Sequence, residues 1–193
     1  MGRWINSCRI ILFRDADAWV LLMSDGYTQV FNQSCFDANQ KIVARFELLS
    51  DNDFKAKTHL FNGRYENLYI EVEKLPELEF IINTAKENAA NILKIDQSKL
   101  AYGFWLNEMQ PGHVTTAHTH DDDDELLSCV YYIKVPEHSG NLIITENNEK
   151  TIITPKEGMF IFFSPATLHE VSENKSEESR LSIAFNFGPQ TSG

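Results

Sequence analysis

Two histidines one residue apart precede an unbroken run of acidic residues in the segment 118–125, HTHDDDDE. In an extended chain, residues two apart project to the same face, so His118, His120 and Asp122 would all point the same way. His169, in the segment SPATLHEV, is the candidate for a further ligand. Two imidazoles and one carboxylate on one face of a cavity form a facial triad that holds non-haem Fe(II). The alternative is a solvated acidic loop with two surface histidines that bind nothing.

A candidate anion site follows this histidine. Arg180 begins the stretch RLSIAFNF, in which alternation puts Arg180 and Ser182 on one face of a strand. A buried arginine needs an anionic partner, because an unpaired desolvated charge is too costly, and a dicarboxylate would provide one. The alternative is an arginine on an edge strand that pairs with Glu173 or Glu177.

The second half of the chain has the pattern of an antiparallel sandwich or barrel. Short β-rich stretches recur at a spacing of roughly ten residues, with Pro-Gly, Ser-Gly and Asn-Asn between them. These stretches are YGFWLNEM, LLSCVYYIKV, GNLIITE, KTIITP, GMFIFF and RLSIAFNF. The pattern predicts a double-stranded β-helix, or jelly roll, in which His169 lies at the end of the strand GMFIFF.

The first half of the chain predicts supporting structure. Apolar residues recur every three or four positions from Glu77 to Leu93, which indicates a helix that covers one face of a sheet. We interpret the first 70 residues as short strands and loops, and the segment HLFNGRYENLYIE (59–71) has no assigned role. We therefore expect one mainly β domain, 1–193, with N-terminal strands and a supporting helix in 1–99 and the jelly-roll catalytic core in 100–188.

Composition excludes several classes of partner. With 17 basic and 28 acidic residues the formal net charge is −11, which argues against nucleic acid and anionic membranes. The cysteines, Cys8, Cys35 and Cys129, have neither the number nor the spacing of a disulfide framework or a zinc site. No apolar run is long enough to span a bilayer, and residues 1–7 lack a signal-peptide layout. We expect a cytoplasmic protein, whose oligomeric state the sequence does not indicate.

Four segments together carry a family resemblance: PGHVTTAHTHDDDD, LLSCVYYIKVPEHSGNLIIT, TPKEGMFIFFSPATLHEV and RLSIAFNFG. Over roughly residues 100–188 they resemble the Fe(II)/2-oxoglutarate-dependent oxygenases of the prolyl-hydroxylase type. The resemblance implies a distorted jelly roll that uses Fe(II), 2-oxoglutarate and O₂ to hydroxylate a small molecule or a protein side chain. It implies catalytic roles for His120, Asp122, His169 and Arg180.

The same resemblance assigns residues to the cofactor. It places Arg180 on the distal carboxylate of 2-oxoglutarate, with Ser182 as a hydroxyl helper. Tyr132, the second tyrosine of SCVYY, matches a position where relatives place a tyrosine on that carboxylate, although a core tyrosine is the alternative. Trp105 and Asn107 share a face of the neighbouring strand and are candidates for lining the pocket, with core packing as the alternative for Trp105.

Two registers stay open for the first iron ligands. If the first ligand is placed by its distance from the Pro-Gly turn, the pair of ligands is His118 and His120, and the site has no carboxylate. If the pair is placed by its distance from the strand SCVYY, the ligands are His120 and Asp122. His118 then faces the site and either hydrogen-bonds to a ligand or contacts the substrate. The chemistry favours the second register, because a carboxylate helps to balance the charge of the iron.

Two other functions compete with an oxygenase. A cupin, another jelly roll, would bind metal through His118, His120, Glu125 and His169, but it does not need the pair Arg180 and Ser182. A jelly-roll binding module without turnover is the other alternative, against which every motif position still holds a chemically competent residue.

Overall fold

The computed structural model describes residues 14–15, 18–22, 26–61, 64–120 and 124–190. Within these residues two antiparallel sheets lie face to face, and two helices cover the outer face of the larger one. The mainly β jelly roll predicted from the sequence is confirmed. None of the described helices is long and apolar enough to cross a membrane.

Among the described residues the larger sheet has nine strands and the smaller has four. The helices are α1 (Gln33–Phe46) and α2 (Leu78–Leu93). The strands are β1 (Arg14–Asp15), β2 (Ala18–Leu22), β3 (Tyr27–Asn32), β4 (Phe54–Phe61), β5 (Arg64–Ile70), β6 (Leu100–Met109), β7 (Thr115–His118), β8 (Leu127–Lys134), β9 (Leu142–Glu146), β10 (Glu149–Ile153), β11 (Met159–Phe163), β12 (Leu168–Val171) and β13 (Arg180–Pro189). The strand order is β1-β2-β3-β11-β8-β13-β6-β5-β4 in the larger sheet and β10-β9-β12-β7 in the smaller.

The helix α2 confirms the periodicity seen in the sequence. Its buried side chains include Leu78, Ile81 and Ala85, which share one face and pack against the outer face of the large sheet. The helix ends at Leu93, and Lys94 adopts a left-handed conformation with φ 57°, as is common just after a helix.

The helix α1 corrects the expectation that the first 70 residues form only strands and loops. Asn32 caps it, since the Asn32 Oδ1 accepts a hydrogen bond of 2.9 Å from the Cys35 backbone N–H. The helix buries only Cys35, Asn39 and Ile42, so its apolar stripe is too narrow to stand out in the sequence.

His169 does not lie at the end of β11, as the sequence suggested. A turn separates the two, and His169 belongs to its own strand, β12, in the smaller sheet. The four residues of β12 are too few to show a strand pattern by themselves, because period-two alternation needs a longer run.

A buried polar contact fixes α1 against the back of β8. The Tyr131 hydroxyl donates to Asn39 Oδ1 at 2.8 Å, and Asn39 Nδ2 donates to the Tyr132 carbonyl at 3.4 Å. Both tyrosines are almost completely buried, and they face opposite sides of the sheet. Asn39 therefore stabilises the strand that carries Tyr132 into the interior.

Replacing Asn39 with alanine is expected to lower the free energy of unfolding by about 1–3 kcal/mol, because the buried Tyr131 hydroxyl loses its acceptor. Urea denaturation measures the change, and Gln40→Ala on the exposed side of the helix should alter stability by less than ~0.5 kcal/mol. The cost of Asn39→Ala should be smaller in a Tyr131→Phe background. An equal cost in both backgrounds would contradict the contact.

Candidate functional site

Three histidines from separate positions in the chain meet between the two sheets. One ring nitrogen of each of His118, His120 and His169 lies within 4.8 Å of the others. The ring centroids are 4.2 Å apart for His118 and His169, 4.9 Å for His118 and His120, and 5.1 Å for His120 and His169. Imidazoles this close, with nitrogens converging, are suited to share one metal ion.

Strand pairing brings the histidines together. His118 is the last residue of β7 and lies directly opposite His169 of β12 in the antiparallel register. The backbone N–H of His120 donates to the Pro165 carbonyl at 2.8 Å, which ties the segment after β7 to the turn before β12. The cluster therefore depends on two backbone contacts between the same two segments.

The backbone also selects the tautomers of two histidines. The Nδ1 of His118 lies 2.8 Å from the Thr116 carbonyl, and the Nδ1 of His169 lies 2.9 Å from the Thr167 carbonyl. A carbonyl oxygen only accepts, so each Nδ1 carries its hydrogen and donates. The lone pair of each ring is therefore on Nε2, the nitrogen left available for a metal.

His169 is buried, and burial lowers its pKa to about 4. The hydrogen bond with Thr167 opposes this shift, whereas His118 and His120 lower the pKa slightly further because a second positive charge beside them is unfavourable. His169 is accordingly neutral near pH 7, which is the state in which imidazole binds metal.

The carboxylate of the predicted triad, Asp122, lies outside the described residues, so the choice between the two registers stays a prediction. Glu125, the carboxylate of the cupin ligand set, is described and does not belong to the histidine cluster. It contacts Asn186 of β13 instead.

The predicted cofactor residues line the inner face of the large sheet. Ser182 of β13 lies opposite Asn107 of β6 on one side and Tyr132 of β8 on the other. Cross-strand neighbours share a face, so these side chains form one polar row beside Arg180. Alternation turns Leu181 and the following odd-numbered residues of β13 toward the helices.

Arg180 is buried, with 4% of its surface exposed, and it forms no ion pair with any described carboxylate. Its Nη1 donates to the carbonyls of Ser139 at 3.3 Å and Gly140 at 3.2 Å, and its guanidinium lies 5.7 Å from the centre of the Tyr132 ring. Its Nε is buried and has no hydrogen-bond partner within the part of the chain that the structure describes. Pairing with Glu173 or Glu177, the alternative from the sequence, is therefore not observed.

Charge and burial act in opposite directions around Arg180. Burial lowers the pKa of Arg180, while Tyr132 and Glu66 raise it. Burial raises the pKa of Glu66, and the charge of Arg180 lowers it. Burial also raises the pKa of Tyr132 to about 12, against the opposing effect of Arg180, so this hydroxyl stays protonated and can donate.

The turn at Gly140 requires glycine. Its φ is 93°, and a Cβ at this position would lie 2.4 Å from the Ser172 carbonyl oxygen. The close approach of these two segments presents the Gly140 carbonyl to Arg180. The sequence shows the Ser-Gly pair as a turn but does not reveal that its carbonyls hold an arginine from β13.

Trp105 connects the histidines to the outer strands. Its ring lies 6.0 Å from that of His120 and 6.2 Å from that of Tyr69, and it is only partly buried. Tyr69 and Glu66 belong to the segment 59–71, for which the sequence suggested no role. The alternation of that segment was the available signal, because it predicts a strand with one face toward the interior.

The second half of the chain matches a known protein family. Residues 104–188, a little under half of the chain, match the family model described as the 2OG-Fe(II) oxygenase superfamily. This family implies Fe(II), 2-oxoglutarate and O₂, and its members are oxygenases. No curated protein matches the chain.

Solved structures share the fold. A prolyl-4-hydroxylase from Pseudomonas putida is 16% identical, with 86% of this chain and 94% of that chain covered and a TM-score of 0.62. The non-heme alpha ketoglutarate dependent carbocyclase SnoK from nogalamycin biosynthesis is 12% identical, with 85% and 79% covered and a TM-score of 0.66. A 2OG-Fe(II) oxygenase family oxidoreductase from Burkholderia pseudomallei is 18% identical, with 64% and 62% covered and a TM-score of 0.50. At these identities the likeness concerns the fold.

The depressed pKa of His169 predicts acid sensitivity of the metal-free protein. Between pH 6.5 and about 4 the unfolded chain binds a proton that folded His169 does not, so stability falls as the pH decreases through this range, by up to about 3 kcal/mol. Urea denaturation in EDTA at several pH values measures this. His169→Gln should flatten the dependence, and His138→Asn, which changes a histidine whose side chain is 76% exposed, should not. Identical pH profiles for wild type and His169→Gln would exclude the effect.

Proposed function

We propose that this chain, whose residues 104–188 match the 2OG-Fe(II) oxygenase superfamily, uses Fe(II), 2-oxoglutarate and O₂ to hydroxylate a substrate that enters between the two sheets. The observation that carries the proposal is the convergence of three histidines between the same two sheets as a buried arginine that forms no ion pair with a described carboxylate. A cupin does not need that arginine, and a binding module does not need the histidines.

The donor set fits a metal ion. We assign the metal to His118, His120 and His169, because two of these rings have their Nδ1 hydrogen-bonded to carbonyls and are left with Nε2 as the ligand atom. A centre of this kind has only neutral ligands. Asp122 remains the candidate that would add a negative charge, in the register that replaces His118 by Asp122.

The arginine pocket fits 2-oxoglutarate. Its distal carboxylate would be held by Arg180, whose buried Nε lacks an acceptor, with Ser182 and the protonated Tyr132 as hydroxyl donors. Asn107 lies in the same row, opposite Ser182, and is assigned to the cofactor through its carboxamide. A carboxylate here would pair with a buried cation that forms no ion pair among the described residues, and an unpaired buried charge is costly.

When bound, the metal and 2-oxoglutarate supply the oxidation of a substrate C–H bond by O₂, with succinate and CO₂ as coproducts. The residues of this chain position and protect these groups. His169 packs 4.7 Å from the Phe163 ring, and Ile144, its cross-strand neighbour, is buried, so apolar walls exclude water on that side. Trp105, whose ring lies 6.0 Å from that of His120, is only partly buried.

The proposal also includes the cellular location and the binding partners of the protein. Cys35 and Cys129 are free buried thiols, which supports a reducing cytoplasmic setting. The net charge of −11 supports the expectation that neither nucleic acid nor a membrane is the partner. The substrate is a small molecule or a protein side chain, the two kinds that the names of the similar structures include.

Substitutions separate the two ligand registers. His118→Ala should abolish stoichiometric Fe(II) or Mn(II) binding, because it removes one of three converging nitrogens, whereas Asp122→Asn should retain the metal. Metal content after anaerobic reconstitution measures both, with His138→Asn as the control, since His138 is exposed and asparagine tolerates its positive φ of 62°. Loss of metal in Asp122→Asn with retention in His118→Ala would establish the His120 and Asp122 register instead.

Arg180→Lys should weaken 2-oxoglutarate binding by roughly 10- to 100-fold, because lysine cannot reproduce the forked contact of guanidinium with a carboxylate. Metal affinity should stay the same, since Arg180 is not a ligand. Isothermal titration of 2-oxoglutarate into the Mn(II)-loaded, oxygen-free protein measures the affinity. Arg45→Lys, the same substitution at an exposed arginine, is the matched control. If the wild type binds metal but no 2-oxoglutarate, the oxygenase function is wrong.

A further inference from the structure

The inner face of β13 changes in charge from one end to the other. Its side chains, in order, are Arg180, Ser182, Ala184, Asn186 and Gly188, because residues two apart share a face. Arg180 provides a positive charge at the first end. At the other end the side chains are small or neutral, and the charges that meet them are carboxylates from the segment before β8.

Glu125 is the first of these carboxylates. Ser128 Oγ donates to Asn186 Oδ1 at 3.0 Å, and Asn186 Nδ2 donates to Glu125 Oε1 at 3.5 Å. The second oxygen, Oε2, is buried and has no hydrogen-bond partner among the described residues. Asn186, itself held by Ser128, therefore fixes one oxygen of the carboxylate while the other still lacks a donor among the described residues, and such an atom is suited to bind a ligand.

Asp124 is the second carboxylate. Its carbonyl oxygen and its Oδ1 lie 3.4 Å and 3.6 Å from the position that a Cβ on Gly188 would occupy, so it lies over the last inward position of β13. It is exposed to solvent. Asp124 thus extends the negative charge from the partly buried Glu125 toward solvent.

The negative end is separate from the proposed cofactor pocket. Six residues of strand place Asn186 about 20 Å along β13 from Arg180, at about 3.3 Å per residue. The histidines lie nearer the negative end: His169 packs against Phe163, whose cross-strand neighbours lead through Ser128 to Asn186. A bound 2-oxoglutarate at Arg180 therefore leaves the Glu125 end of the cavity free.

This end also has space and an aromatic wall. Gly103 lies opposite Asn186, and a Cβ there would meet no atom within 4 Å. Trp105 lies opposite Ala184, with its ring 6.0 Å from His120. The nearby inward positions of β5, Asn67 and Tyr69, are uncharged.

We propose that the substrate has a cationic group, a primary ammonium or a guanidinium, that binds Glu125 Oε2 and packs on the ring of Trp105. The cation replaces the missing donor of the carboxylate, and an aromatic face beside it attracts the same charge. Asp124 draws cations toward the opening. This inference rests on the proposed oxygenase function and names the substrate class for it.

The test uses Mn(II)-loaded, oxygen-free protein saturated with 2-oxoglutarate, and titrates it with free L-lysine, L-arginine and L-norleucine. A second arm uses the pentapeptides Gly-Gly-Xaa-Gly-Gly with the same three side chains, which distinguishes a free amino acid from a side chain of a polypeptide. The wild type should bind a lysine or arginine probe at least 10-fold more tightly than the norleucine probe of the same arm. Absence of this preference in both arms would overturn the proposal.

Glu125→Gln keeps the size and the acceptor for Asn186 but removes the charge. It should reduce the preference for the cationic probe by 10-fold or more, whereas Glu87→Gln, the same charge change on the exposed side of α2, should leave it unaltered. If Glu125 only holds Asn186, the variant will melt at a lower temperature with the preference intact, which would contradict the inference.

Failure of this inference is distinguishable from failure of the proposed function. If the wild type binds Mn(II) and 2-oxoglutarate but shows no preference for cations, only the substrate class is wrong. If it binds metal without 2-oxoglutarate, the oxygenase function is wrong as well. In that case the cationic probes are also titrated without 2-oxoglutarate, and binding that still depends on Glu125 would show that the cation site exists independently.

Discussion

The alternation of side chains along β13 is the constraint on which both the packing and the site depend. This strand lies between β6 and β8 in the large sheet, and its odd-numbered residues Leu181, Ile183 and Phe185 are buried under the helices. Its even-numbered residues therefore have to face the small sheet. A shift of one residue in the register would expose the core and turn Arg180 toward the helices, so the apolar packing of one face fixes the chemistry of the other.

The small sheet contributes His118 and His169, and His120 lies two residues beyond the end of its strand β7. The pairing of β7 with β12 places His118 opposite His169, and the carbonyls two residues before each histidine select its tautomer. A metal would meet rings whose orientation and protonation are largely set before it binds, which reduces the entropy lost on binding. The two sheets thus contribute different groups: the small one offers neutral nitrogen ligands, and the large one offers a charge for the organic acid.

The sequence predicted the parts of this arrangement that depend on local pattern. The helical period of α2, the alternation in β13 and the segments containing His118, His120 and His169 were readable, because each lies within a few residues of chain. The helix α1 was not, since its buried stripe is narrow, and neither was β12, which has only four residues. The contacts of Arg180 with the Ser139 and Gly140 carbonyls and of Glu125 with Asn186 were also hidden, because they join segments distant in sequence and only the tertiary fold brings them together.

Several buried polar atoms of the described residues have no hydrogen-bond partner there, and four of them, near Arg180 and Glu125, have a common physical explanation. Arg180 Nε, Asn107 Oδ1, Ser139 Oγ and Glu125 Oε2 are all in this set. Each such atom costs folding free energy, about 1–3 kcal/mol for a neutral group and more for a charged one. The loss of stability is offset when ligands bind these atoms, since any ligand that binds only the native state stabilises that state. The two charged groups named here differ in sign: the guanidinium of Arg180, on which Glu66 also acts, is suited to bind an anion, and the carboxylate of Glu125 at the other end of β13 is suited to bind a cation. The polarity of the cavity therefore orients its two proposed organic ligands, with the metal site between them.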